Sequence, residues 1–432
     1  MLNLVDLSSF PPQVPIYLLL AFLGSAFLNV WLLVSKRSFL PLVDEQKLQK
    51  RGLTGHPAGW WASETFFQAE RRSIFSKTWI CVSHRGRFAK PGDYVTHELA
   101  GFRFFIIRGK DDQIRTFHNI CRHRAFPVAN KATGSAMVLG CQYHGWSYNT
   151  KGELTKAPQF DNVPGFDKGK NSLFEIHTKV DGSGFIHINL AGDQSPVDNR
   201  PPNAEKIGRP ARISPTSQFI HGWEMEGNYN WKAAGNPQSL ISVAPRIINN
   251  LKYIDSQGNG DDVHNPSQET SGIFPRALFT HSLTPAGQLR FFPLTTVYTK
   301  SGRPFWYQIT LSPASASSTT LRCGLYSTKQ SEISQIGEIK ATLEAELKHT
   351  IQRYEDVYRK ALSQDATVGN LTANGAKIAN TVSKHLKQEE VEGSEIKPAT
   401  VQHYRSAAHL KAEQTATNWI GDQLRTSQPL VH

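Results

Sequence analysis

The longest apolar stretch of the chain is VPIYLLLAFLGSAFLNVWLLV, Val14–Val34, 21 residues without a charge. A helix of that length, rising about 1.5 Å per residue, spans the ~30 Å of a bilayer's hydrocarbon. Residues 1–13 before it carry a single charge, Asp6. A cleaved signal peptide would start with basic residues and have a shorter apolar core. The pattern therefore predicts a retained transmembrane helix over 14–34 behind a short N-terminus.

Residues 35–78 read as a juxtamembrane linker and a lead-in helix. A Pro/Gly turn lies at His56–Gly59. In SETFFQAERRSIFSKTW, Ser63–Trp79, the residues Phe66, Phe67, Ile74 and Phe75 recur at helical spacing, with Ser63 placed to cap the helix. From 79 to 190 the pattern becomes short alternating or β-branched runs between Gly, Pro, Asn and Asp: DYVTHEL, FRFFIIR, QIRTFHNI, AMVLGCQY and GFIHINL. These predict a small antiparallel β domain. Residues 191–213 are polar and Pro-rich, as a connection between domains would be. In 214–432 the strands QLRFFPLTTVYT, PFWYQITLSP and TLRCGLYST precede a long helix from Ser331 to about Ser363. Its apolar stripe is Ile333, Ile336, Leu343, Leu347, Ile351 and Val357. Strands followed by helices predict an α+β domain. No internal repeat is present, and no G-x-G-x-x-G joins a strand to a helix, which argues against a nucleotide domain.

Composition sharpens this outline. With 39% apolar and 19% charged residues in 432, the chain is neither a disordered tail nor a collagen-like repeat. Its net charge of +12 favours anionic surroundings. Part of the excess follows the apolar stretch as Lys36, Arg37, Lys47, Lys50 and Arg51, against Asp44 and Glu45. Basic residues on that flank place the bulk of the chain in the cytosol, on the endoplasmic reticulum membrane in a eukaryote. No motif supports a nucleic-acid partner. The four cysteines, Cys81, Cys121, Cys141 and Cys323, are too few and scattered for a disulfide scaffold, and a reduced compartment suits thiolates as metal ligands.

Chemistry concentrates in NICRHRAF and GCQYHGWSY. One residue separates Cys121 from His123, two separate Cys141 from His144, and seventeen lie between the pairs. Each pair follows a predicted strand, in a loop where two side chains can converge. Two thiolates and two imidazoles suit a tetrahedral zinc. They equally suit a two-iron cluster with both cysteines on one iron and both histidines on the other. Cys81 and Cys323 read as core residues, and His84 and His118 as structural.

Asn119, Arg124, Tyr143, Gly145, Trp146, Tyr148 and Gly152 complete the string N-x-C-x-H-R … C-x-Y-H-G-W-x-Y-x-x-x-G. It resembles the two cluster-binding loops of Rieske [2Fe-2S] proteins, with Ala125 where a glycine is frequent. The resemblance implies one [2Fe-2S] cluster held by Cys121, His123, Cys141 and His144. Imidazole ligation raises the potential of such a cluster above that of an all-cysteine one. A hydroxyl donor to a sulfur, from Tyr143 or Tyr148, would raise it further.

A Rieske domain followed by an α+β domain resembles the large subunits of Rieske non-haem iron oxygenases, over roughly residues 60–425, with the choline monooxygenase-like and fungal groups nearest. In GNYNWKAAGN, Asn230, Trp231 and Lys232 match the N-W-K that opens the metal helix of that family's helix-grip domain. The resemblance implies a mononuclear Fe(II) held by two histidines and a carboxylate. Laid on this chain, the two histidine positions fall on Ala244 and Asn249, which are poor ligands for it. No histidine lies between His221 and His264, and GNPQSLISVAPRI has no acid. A site rebuilt from Asp261, Asp262, His264 and His281 with Glu355 or Asp356 is the alternative.

The expectation is thus a membrane-anchored, oxygenase-like oxidoreductase that takes electrons from a separate reductase or ferredoxin. Its substrate would be a hydrophobic small molecule such as a secondary metabolite. The alternative is an electron-transfer or accessory subunit, or a ligand-binding protein, without mononuclear iron. The resemblance also implies a homotrimer. Between Gly101 and Thr155 eight basic residues oppose three acidic ones, a face that either docks an acidic electron donor or simply solvates the domain.

Overall fold

The computed structural model describes residues 57, 59–160, 163–192, 196, 213–235, 287–299, 305–328, 336–363 and 373–396. The apolar stretch 14–34 and most of the connection 191–213 lie outside them. So do Ala244, Asn249, Asp261, Asp262, His264 and His281. Among the described residues no helix is long and apolar enough to cross a membrane. All of them belong to the unit Gly55–His432.

Ser63 caps the lead-in helix as expected, its Oγ accepting the Phe66 N–H at 3.2 Å. Helix α1, Glu64–Glu70, continues as one π turn, Arg71–Phe75, and stops short of Trp79. The cause is local. Hydroxyls of Ser73, Ser76 and Thr78 each donate to the carbonyl four residues back, at 2.6, 2.6 and 2.8 Å, and so compete with the helical ladder.

The β domain is built on β1 (Ile80–His84), β2 (Asp93–Leu99), β3 (Phe102–Arg108), β4 (Ile114–His118), β5 (Thr133–Ser135), β6 (Val138–Gly140), β7 (Ser147–Asn149), β8 (Leu154–Lys156), β9 (Glu175–Val180) and β10 (Phe185–Asn189). Seven of these form an antiparallel sheet in the order β1-β10-β9-β4-β3-β2-β5, and β6-β7-β8 form a small second sheet. DYVTHEL and FRFFIIR coincide with β2 and β3. Ala100 and Gly101 join them with φ of 49° and 75°, the two-residue turn that matches strand twist.

The second sheet system holds β11 (Gln218–Gly227), β12 (Gly287–Phe291), β13 (Thr295–Thr299), β14 (Phe305–Pro313) and β15 (Thr319–Ser327), in the order β11-β15-β14-β13-β12. QLRFFPLTTVYT, expected as one strand, is the antiparallel pair β12 and β13. Pro293 has no N–H to give to a ladder, so the run folds back there. Helices α2 (Ile336–Ser363) and α3 (Ala373–Glu392) follow. Leu343, Leu347 and Ile351 are buried along α2 as the periodicity predicts, and Ile339, Tyr354 and Tyr358 join them. Ile333 lies outside the described residues.

One continuous core runs through α1, both large sheets, α2 and α3. The N-W-K string sits at its centre. Lys232 Nζ meets Glu70 Oε1 of α1 at 2.6 Å, and Trp231 Nε1 donates to Glu70 Oε2 at 2.9 Å. The Asn230 amide donates to the carbonyls of Trp61 and Ala316, at 3.0 and 2.7 Å. Burial raises the Glu70 carboxyl and lowers the Lys232 ammonium, each restrained by the charge of the other. Among the described residues, then, this motif is a lock between the lead-in helix and the second sheet.

Candidate metal centre

Both Cys/His loops have the same backbone design. In the first, Cys121 N–H donates to Phe126 O at 2.7 Å and Ala125 N–H donates to Cys121 O at 3.0 Å. In the second, Cys141 N–H donates to Trp146 O at 2.8 Å and Gly145 N–H to Cys141 O at 3.0 Å. Each knuckle closes through a left-handed residue, Ala125 at φ 59° and Gly145 at φ 73°. The first loop is braced from within by Asn119, whose Oδ1 accepts the Val128 and Ala129 N–H groups while its Nδ2 donates to Ala129 O. The motif string contains Asn119, but its bracing role depends on partners nine and ten residues on.

Strand β4 leads into the first loop, and β6 and β7 flank the second. The loops bring the four expected residues together, sorted by type. The thiols of Cys121 and Cys141 are neighbours, both buried and unbridged. The imidazoles of His123 and His144 are neighbours too, with ring centres 4.5 Å apart, and both are partly exposed. His123 stacks on Trp146 at 5.0 Å, and its Nδ1 is shielded from solvent without any hydrogen-bond partner. Burial, then the neighbouring His144 and Arg124 charges, push His123 down to about 4, so its imidazole stays neutral and able to bind metal.

Of the two tyrosines, Tyr148 reaches the sulfurs and Tyr143 does not. Tyr148 is fully buried in β7, its oxygen 3.4 Å from Cys121 Sγ and 3.0 Å from the Arg122 N–H. Since the hydroxyl accepts from Arg122, its own proton is directed to the sulfur. Tyr143 is 49% exposed and stacks on Phe126 with ring centres 4.4 Å apart. Burial raises the Cys121 thiol, an effect the Tyr148 hydrogen bond opposes. Gly152 is required where it stands: at φ 77°, a Cβ would lie 2.4 Å from the Phe117 ring that floors the site.

The other candidates lie elsewhere. Cys81, Cys323, His84 and His118 are buried. Glu355 accepts the Asn228 N–H at 2.8 Å, and Asp356 pairs with Arg359 at 2.8 Å. His221 sits on β11 against Trp223. Among the described residues no three His, Cys, Asp or Glu side chains are placed to share one metal ion. A sulfur pair beside an imidazole pair is the donor set of a two-iron cluster, which takes its sulfurs on one iron and its nitrogens on the other. It is not the convergent set of a tetrahedral zinc. The orphaned His123 Nδ1 is the atom such a cluster would satisfy.

Comparison with known proteins agrees. Residues 78–167 match the Rieske [2Fe-2S] domain. The carnitine monooxygenase oxygenase subunit of Acinetobacter pittii (strain PHEA-2) is 32% identical over 177 residues, 41% of this chain and 47% of that protein. Chloroplastic choline monooxygenase of Spinacia oleracea is 29% identical over 182 residues, 41% of this chain and 40% of that protein. The alignments thus span about half the length of these curated relatives or less. In fold, the chain is similar to the quaternary ammonium Rieske monooxygenase CntA, with a TM-score of 0.59 and 23% identity over 78% of this chain and 95% of that one.

Proposed function

From a chain that carries a Rieske [2Fe-2S] domain and is homologous to Rieske oxygenases, we infer an oxygenase-like oxidoreductase that draws electrons from a separate reductase. Cys121 and Cys141 would hold one iron of its cluster, and His123 and His144 the other. The observation that carries this reading is the sorted donor set, with its orphaned His123 Nδ1 and the Tyr148 proton directed at Cys121 Sγ. Bound there, the cluster supplies one-electron transfer. Asn119 and the two knuckles fix the ligand positions, the aromatic floor excludes water from the sulfurs, and the partly exposed histidines form the side open to an electron donor.

The substrate we propose is a hydrophobic small molecule, reached from a membrane to which 14–34 anchors a cytosolic bulk. The support is the 21-residue uncharged run and its basic flank. A second reading, an electron-transfer or accessory subunit, rests on the absence of any histidine between His221 and His264. Substrate-dependent oxygen uptake separates the two, and quaternary ammonium compounds are the first comparison substrates.

Iron and acid-labile sulfide analysis with electron paramagnetic resonance tests the centre. Two irons per chain and a rhombic signal after reduction are expected, both lost in Cys121→Ser. Lack of that signal in the wild type overturns the assignment, and a third iron per chain restores a mononuclear site.

A further inference from the structure

The two ligand histidines have different surroundings, although both are partly exposed. His123 lies against an aromatic wall: its ring stacks on Trp146 at 5.0 Å and meets Phe160 edge-on at 5.1 Å. Trp146 and Phe160 are themselves buried, packed on each other and on Phe166. His144 has another neighbour. Its ring centre is 3.8 Å from that of Tyr143, and Tyr143 stacks on Phe126 at 4.4 Å.

Phe126 and Tyr143, each 49% exposed, are the only exposed Phe, Tyr or Trp side chains among the described residues. Single exposed apolar residues are ordinary. Here two rings, one from each knuckle, stack on each other in water and touch a ligand histidine, and aromatic side chains of that kind are enriched in the centres of protein interfaces.

The same loops are basic. Arg124, between His123 and Phe126, is exposed, and so is Lys131. Arg122 is tied elsewhere, its Nη1 donating to Ser172 O at 2.8 Å with the guanidinium over Phe174. From Cys121 to Thr150, a span that includes both knuckles, the chain has no acidic residue.

We propose that the Phe126–Tyr143 platform is the docking site of an acidic electron-carrier protein, of the class of [2Fe-2S] ferredoxins, and that His144 is the ligand on the electron's path. This deepens the cluster assignment above and rests on it. One electron leaves the reduced carrier and enters the cluster, with no proton or bond exchanged. Acidic groups on the carrier would meet Arg124, and its apolar centre the two rings. Transfer slows steeply with distance, so a partner seated on rings that touch a ligand is well placed. A second copy of this chain, itself at +12, lacks the matching charge. A lipid surface there would seal the His144 side from any carrier.

Stopped-flow mixing of the oxidised full chain with a reduced plant-type [2Fe-2S] ferredoxin, an acidic protein, tests this. Absence of the rhombic signal overturns the cluster assignment and the docking site with it; with the signal present, the outcomes below bear on the docking site alone. The second-order rate is expected to fall about tenfold from low to high salt. Arg124→Glu should lower the low-salt rate about tenfold and flatten that dependence, whereas Lys348→Glu on α2 should keep it within about twofold. Tyr143→Ala and Phe126→Ala should each slow transfer about tenfold, and Tyr143→Phe, which keeps the ring, should not. The reduction potential should stay the same in these three ring variants, which separates lost docking from a disturbed cluster. A salt-independent wild-type rate, no transfer, or a rate unchanged in both alanine variants overturns the proposal. Self-association of the wild type that Tyr143→Ala abolishes would give the face to a second copy. A rate that Tyr143→Ala raises, with the protein in anionic vesicles, would give it to the lipid.

Discussion

Ala125 stands where Gly145 stands in the second knuckle, and both have positive φ, 59° and 73°. A side chain in that conformation costs roughly 1–2 kcal/mol, partly offset by the smaller entropy an alanine loses on folding. Ala125→Gly should therefore raise stability by about 0.5–1 kcal/mol, seen as a higher thermal midpoint with the cluster signal unchanged. Tyr148 makes a different test. Its proton stabilises negative charge at Cys121 Sγ, so Tyr148→Phe should lower the reduction potential. A hydrogen bond of ~1 kcal/mol corresponds to about 40 mV for one electron, measurable by redox titration. Tyr143→Phe should leave it in place, because that ring lies at the surface. The sequence brought out the two Cys/His pairs because their spacing is local. It offered both tyrosines, and only the burial of β7's middle residue chose between them.

At the level of elements, the sequence patterns predicted β2, β3, β14 and β15 closely, since a short alternating or continuously apolar, β-branched and aromatic run is readable from that strand alone. The β12–β13 hairpin was read as one run because its turn carries no Gly or Asn, only Pro293. The N-W-K string was legible as a motif, but its partner Glu70 lies 162 residues away. Breaking a buried ion pair on one side strands the other charge. Lys232→Met should cost about 3–5 kcal/mol, read as a fall in the urea midpoint. Adding Glu70→Gln should recover at least half of it, because the stranded carboxylate is gone while Trp231 keeps an acceptor. A double variant no better than the single one would mean that the lock acts through packing alone.

For the whole molecule, the junction of the two sheets turns on His84. Gly86 N–H donates to its Nδ1 at 3.0 Å and its Nε2 lies 2.9 Å from Ser183 O, an arrangement that only the neutral ring satisfies. The ring packs edge-on against Phe185 in its own sheet and against Trp306 and Tyr326 in the other. Burial depresses its pKa to about 4 from an unfolded value of 6.5. The unfolded chain therefore takes up a proton as pH falls through 6.5, and the folded chain does not until about 4. Stability is fully present above 6.5 and is lost between 6.5 and 4, by about 3 kcal/mol at ~1.4 kcal/mol per unit. Denaturation midpoints measured from pH 7.5 to 4.5 should follow that slope, and His84→Gln should flatten it by one proton. An equal slope in the variant would assign the loss to other groups.

The sequence by itself determined the two Cys/His pairs that the fold brings together, the cap at Ser63, most strands and the long helix, because each depends on residues within a few positions of one another. The tertiary structure decided which tyrosine reaches the sulfur, what Lys232 pairs with and which tautomer His84 holds. In those cases the energy comes from desolvated polar groups meeting partners distant in the chain, and a linear pattern carries no trace of the partner until the sheets have packed.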